Sequence, residues 1–161
     1  MFDQILDFFA KGIDEYQRCV FLTTEFDGDK IFQNLKKLKD QNKVVKLFSY
    51  YSMPDPVKST IEFEEKVSKI KTTVLDDDFK GRVAFNVLGN ISRFTPSAIT
   101  KIGEIEKNLH TLSNNKMKFF CTYKIGEKND SSEKMSKIAL TTHNKAIFEN
   151  DDGSFSQVIL N

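Results

Sequence analysis

The sequence predicts an α/β fold of three layers: a mostly parallel sheet with helices on both faces, and a C-terminal antiparallel ribbon at one edge. Three observations predict it. Apolar runs of strand length alternate along the chain with stretches whose apolar residues recur at helical spacing. The run KGRVAFNVLGN, from Lys80 to Asn90, is apolar at consecutive positions, Val83-Ala84-Phe85 and Val87-Leu88. That pattern suits a strand buried on both faces and closed by a turn at Gly89-Asn90. Near the end, two short apolar runs flank Asp151-Asp152-Gly153, a hairpin signal.

Taken in order, Phe2, Ile5, Leu6, Phe9 and Ile13 give residues 2–15 a helical apolar stripe. Gly12 inside it weakens the helix by roughly 1 kcal/mol relative to Ala. Arg18 to Thr24 reads as a buried strand. Asp27-Gly28-Asp29 then opens a helix with Ile31, Phe32, Leu35 and Leu38 on one face. Val44 to Tyr51 is the second expected strand. After Pro54 and Pro56 a long helix is expected from Val57 to Leu75, stopping at Asp76-Asp77-Asp78, acids that oppose the helix dipole. The central strand spans 82–89. Thr95-Pro96 is a cap followed by proline at the first helical position, and Ala98, Ile102, Ile105, Leu109 and Leu112 continue that helix. Lys116 to Ile125 is the fourth strand. Asp130 and Glu133 suggest a capping box for a helix bearing Met135, Ile138 and Ala139. Lys145–Glu149 and Phe155–Leu160 close the chain.

The 161 residues are one domain's worth, 1–161, and the net charge of +1 gives no electrostatic reason to bind nucleic acid or an acidic membrane. No apolar run approaches the length of a membrane span. Cys19 and Cys121 each lie inside an apolar run, which suits a reducing, cytoplasmic setting better than a disulfide framework.

The sequence contains no GxxxxGK[ST] phosphate loop and no GxGxxG. Where such a loop would fall, after the first strand, stand Glu25, Asp27 and Asp29, acids that repel phosphate from a helix N-terminus. The two His and two Cys have no metal-ligand spacing, so neither a metal nor a cofactor is expected. Cys121 and His143 form a nucleophile–base pair on paper. A mid-strand Cys121 is more simply inert core, and His143, in the turn into a strand, more simply a structural hydrogen bonder. The candidate ligand residues are those at expected strand ends: Thr24, Glu25, Tyr50, Tyr51, Asn90, Arg93 and Tyr123. Tyrosines with one Arg and one Glu could line a small-molecule pocket, or the aromatics could merely cap the core. Arg93 is expected to pair with Glu25 across the sheet edge.

Four stretches resemble the MEDS domain, the sensory domain of methanogen and methylotroph regulators. Phe9-Ala10-Lys11-Gly12-Ile13 with Arg18 to Glu25 is similar to its opening helix and first strand, and Gly89 to Arg93 falls at its Gly-acid-x-Ser/Thr-Trp pattern. Glu104 to Leu109 is similar to its YExxLN helix, and Cys121-Thr122-Tyr123 with Thr142-His143 to its CxY and TH signatures. The chain departs from the family in lacking the usual leading strand and in carrying Asn90 and Arg93 for the acid and the Trp. The resemblance implies a RecA/KaiC-like fold that has lost the phosphate loop and its ATPase chemistry.

The expectation is therefore a non-catalytic sensory or signalling domain. It binds a small molecule or a protein partner at the carboxyl edge of the sheet, and a homo-oligomer is compatible with it. The rivals are a small enzyme using Glu25, Arg93 and Tyr123, and a stand-alone interaction adaptor.

Overall fold

The computed structural model describes residues 2–56, 58–75, 78–111, 117–124, 127–143, 145–149 and 155–159, with the backbone alone for 87–90, 109–111, 145–149 and 155–159. Four strands, β1 (Arg18–Thr23), β2 (Phe48–Ser52), β3 (Gly81–Asn90) and β4 (Met117–Lys124), form an all-parallel sheet in the order β2-β1-β3-β4. The helices are α1 (Phe2–Asp14), α2 (Glu25–Leu38), α3 (Gln41–Leu47), α4 (Thr60–Thr73), α5 (Pro96–Thr111) and α6 (Asp130–Thr142). The terminal strands β5 (Lys145–Glu149) and β6 (Phe155–Ile159) pair antiparallel, as expected, in a two-stranded sheet of their own. Residues 150–154, the expected hairpin turn, lie outside the described residues.

Parallel strands need both faces covered, and the side chains alternate accordingly. On one face Val20, Leu22, Val83 and Phe85 pack under α4 and α5 with Phe63, Val67, Ile70, Ile99 and Ile102, and Met135 of α6 joins them. On the other, Cys19, Phe21, Phe48 and Ala84 pack under Ile5, Phe9 and Ile13 of α1, Ile31 and Leu35 of α2, and Val44 of α3. The fold is thus the three-layer α/β arrangement that the alternation predicts. Among the described residues no helix is long and apolar enough to cross a membrane.

Three local expectations are corrected. The strand expected from Val44 begins at Phe48, because α3 takes the preceding residues: the Asp40 carboxylate caps it, accepting from the Lys43 amide at 2.9 Å. Val44 is buried while Val45 is 62% exposed, a one-sided pattern that a short capped helix satisfies and a strand buried on both faces does not. The helix expected from residue 57 begins at Thr60, where Ser59 caps it. The capping box of α6 sits one residue earlier than expected. Asn129 accepts from the Ser132 amide at 3.0 Å, and the Asn129 amide donates to Ser132 Oγ at 2.8 Å.

At the amino ends of the strands, Arg82 is held under α1. Its guanidinium pairs with Glu15 at 3.0 Å, its Nε donates to Gln17 at 2.9 Å, and it lies 5.1 Å from the Phe8 ring centre. Glu15 also takes Lys118 of β4 at 3.4 Å, so one carboxylate ties α1 to two strands. These cations hold the Glu15 carboxyl below its usual range, the Arg82 hydrogen bond foremost. The same close approach explains Gly12, since a Cβ there would stand 2.6 Å from Cys19 Sγ and 2.7 Å from Arg82 Cδ.

Two outcomes follow from this packing. Phe85 is 0% exposed and its ring centre lies 5.8 Å from that of Phe63, so Phe85→Ala is expected to cost about 3–5 kcal/mol. A urea midpoint near that of the wild type would contradict the burial of β3. Gly12→Ala would gain up to about 1 kcal/mol in an isolated helix. Here it is expected to lower the thermal midpoint, because both atoms it would strike belong to buried side chains; a raised midpoint would show that they give way freely.

Candidate functional site

In a parallel sheet ordered β2-β1-β3-β4, the chain leaves β1 in one direction and β3 in the other. The topological switch point falls between β1 and β3, where open α/β sheets leave a crevice at the carboxyl ends. The turn after β1 carries Thr24 and Glu25, and the turn after β3 is a 3-10 segment, Ile91–Arg93. The fold therefore brings the sequence-predicted residues Thr24, Glu25 and Arg93 to one end of two neighbouring strands.

Their side chains do different things. Thr24 Oγ1 accepts from the Asp27 amide at 3.1 Å and so caps α2, which begins at Glu25 and not at the expected Asp27-Gly28-Asp29. Glu25 and Arg93 are exposed, and among the described residues they form no ion pair with each other. That corrects the expected Arg93–Glu25 pairing: both project into water, where a single exposed pair gains little. Tyr50 is structural. Its hydroxyl donates to Asp29 Oδ1 at 2.5 Å, a bond that raises its pKa, and its ring covers Gly28, where a Cβ would stand 2.2 Å from it. Tyr51, on the opposite face of β2, packs against the core under α4 and α5. Asn90 ends β3, and its side chain lies outside the described residues. The Tyr123 hydroxyl is buried with no hydrogen-bond partner.

Two features escaped the sequence reading. The first is a polar rung inside the carboxyl ends of three strands. Thr122 Oγ1 of β4 donates to Asn86 Oδ1 of β3 at 3.1 Å, and Asn86 Nδ2 reaches Thr23 Oγ1 of β1 at 3.5 Å. Thr23 and Thr122 are buried. The signal was present as Asn86, the one polar residue inside the apolar run of the central strand.

The second is a cluster between β4, α5 and α6. Glu106, Cys121 and His143 each place one donor atom so that all three lie within 4.8 Å of one another. Gly103, one turn before Glu106, lets α6 come close: a Cβ there would stand 2.8 Å from Ile138 Cδ1. The entry of α6 is fixed by Asn129 Nδ2, which donates to the Ser92 carbonyl at 2.8 Å, and by Ser131, which donates to the Phe94 carbonyl at 2.9 Å. At its exit His143 is the C-cap, with Nδ1 at 2.9 Å from the Ala139 carbonyl. A carbonyl can only accept, so Nδ1 carries the proton and Nε2 is the basic nitrogen.

Glu106 is 0% exposed, and neither carboxyl oxygen has a hydrogen-bond partner of good geometry. Burial raises its pKa to about 7, with the nearby Cys121 thiol and Thr142 hydroxyl pulling the other way. Burial also pushes the Cys121 thiol well above its ordinary value, reinforced by the Glu106 carboxylate beside it. Burial lowers His143, offset in part by the Ala139 carbonyl. A thiol held protonated is a poor nucleophile, which weighs against the cluster being a cysteine–histidine catalytic pair. Its chemistry is that of an oxygen, a sulfur and a nitrogen donor gathered in one place.

No protein-family profile matches the chain, and no curated protein matches it. The resemblance to the MEDS domain rests on the residues that carry it.

Glu106 makes stability depend on pH. Its carboxyl is neutral in the folded protein up to about pH 7, whereas the unfolded chain ionises near 4.5. Between those values the unfolded state binds fewer protons, so stability falls as pH rises, by about 3 kcal/mol in all. Urea midpoints of the chelator-treated wild type are expected to decline across that window, and Glu106→Gln should remove this part of the decline. Equal slopes for the two proteins would show that Glu106 is not buried as described.

Proposed function

We propose that this chain is a non-catalytic sensory or signalling domain that takes a small molecule or a protein partner at the carboxyl edge of its sheet, around the switch point between β1 and β3. The observation that carries the reading is what meets at that edge. Exposed Glu25 and Arg93 stand free of each other, and Phe26, in the first turn of α2, is 76% exposed. Ile61, in the first turn of α4, is 69% exposed, and α4 also begins beyond a strand's carboxyl end. Apolar residues beside two opposite charges suit recognition. The buried Thr23–Asn86–Thr122 rung gives the sheet polar hydrogen-bonding groups just beneath that edge.

Nucleotide hydrolysis does not suit this edge. The first turn of α2 carries Glu25 and Asp27, and Thr24 already occupies one of its amides. An anion there would meet two carboxylates, which oppose the attraction of the helix N-terminus. The MEDS resemblance supports the same reading, a RecA/KaiC-like relative without ATPase chemistry. With Cys19 and Cys121 both free thiols, we assign the protein to the cytoplasm.

A library of small polar and apolar molecules screened against the labelled protein by amide chemical shifts tests the reading. Ligands are expected to shift residues around Glu25, Phe26 and Arg93, and Phe26→Ser with Arg93→Ala to abolish the shifts without altering the urea midpoint. Hits confined to other surfaces would overturn it. Calorimetry with Mg-ATP is expected to show no micromolar binding, and such binding would restore the ATPase alternative.

A further inference from the structure

We propose that Glu106, Cys121 and His143 form a zinc site. The carboxylate oxygen, the thiolate sulfur and an imidazole nitrogen supply three ligands, and the fourth position is left to water or an exogenous donor. The three residues come from α5, β4 and the end of α6, and their donor atoms converge within 4.8 Å. A tetrahedral ion with ordinary zinc bond lengths needs donor separations of about 3.3–3.8 Å. Binding would draw the donors together by about 1 Å.

The surroundings favour a cation. Glu106 is fully buried with neither oxygen in a hydrogen bond of good geometry, a costly state for a carboxyl group that a bound ion would relieve. The charge balances: a divalent ion with one carboxylate, one thiolate and a neutral imidazole sums to zero in a low-dielectric setting. The imidazole is prepared for ligation in the usual manner of metal-binding histidines. Its Nδ1–H is given to the Ala139 carbonyl at 2.9 Å, which fixes the tautomer and makes Nε2 the basic nitrogen. The donor set excludes calcium and magnesium, which take oxygen ligands, and one sulfur, one nitrogen and one oxygen suit zinc. On binding, the Cys121 S–H bond and, where the carboxyl is protonated, the Glu106 O–H bond break, metal–sulfur and metal–oxygen bonds form, and the protons pass to solvent. No redox step is involved.

The site is separate from the strand-end surface of the proposed function, since His143 lies at the end of α6 opposite the entry that Asn129 ties to Ser92, and either can fail without the other. Chelator-stripped full-length protein titrated with Zn²⁺ is expected to bind one equivalent and to unfold at a higher temperature. Co²⁺ in place of zinc should give a sulfur-to-metal charge-transfer band and the intense visible bands of tetrahedral cobalt. Glu106→Gln, Cys121→Ser and His143→Gln should each weaken binding by about 100-fold or more, the upper end of what losing an outer-shell partner costs. Cys19→Ser should bind as the wild type does. Absence of the cobalt–sulfur band from the unaltered chain would overturn the proposal. So would its loss in Cys19→Ser, or wild-type affinity in folded Glu106→Gln. If Cys121→Ser fails to fold, the cobalt spectra of the wild type and of Cys19→Ser decide alone.

Discussion

The structure depends on the parallel pairing of β1 with β3. These two strands occupy the middle of the sheet, with Val20, Leu22, Val83 and Phe85 on one face and Cys19, Phe21 and Ala84 on the other, all nearly or fully buried. Neither strand can be satisfied alone, because each needs its neighbour's backbone and helices above and below. The tolerance at the start of the pair is small: a Cβ on Gly81 would stand 2.0 Å from the Arg18 carbonyl oxygen. Glycine at that position lets the two backbones register from their first residues.

The layers and the strand count were legible because they follow from hydrophobic periodicity, which survives in the sequence. The misreading at Val44 arose where periodicity is ambiguous. A brief apolar run followed by aromatics reads equally as strand or helix, and the Asp40 cap settled it. The edge residues were legible as positions and not as roles. That Thr24 caps a helix and Tyr50 leans on Gly28 depends on distances that spacing alone does not encode.

The cluster at Glu106 was illegible for a different reason. Its donors lie within one helix, on a strand and at the end of another helix, separated by 15 or more residues, so no local pattern marks them. Cys121 and His143 were weighed as a pair, but Glu106 looked like one more charge on an amphipathic helix. Its burial accompanies a close approach of α5 and α6, which meet at Gly103 and Ile138 one turn away. The Thr23–Asn86–Thr122 rung is the tamer counterpart: buried polar groups that satisfy one another across three strands.

The strand order also bears on how the chain is made. As the ribosome delivers it, β1 and β2 emerge first and can pair, but the other edge of β1 stays open until Gly81–Phe85 arrives. Until then Val20 and Leu22 have no β3 beside them and no α5 above. The nascent amino-terminal half is thus an open apolar edge in search of a strand, and a stalled or truncated product would be a substrate for chaperones or for its own copies. Non-local parallel pairing of this kind is slow to close.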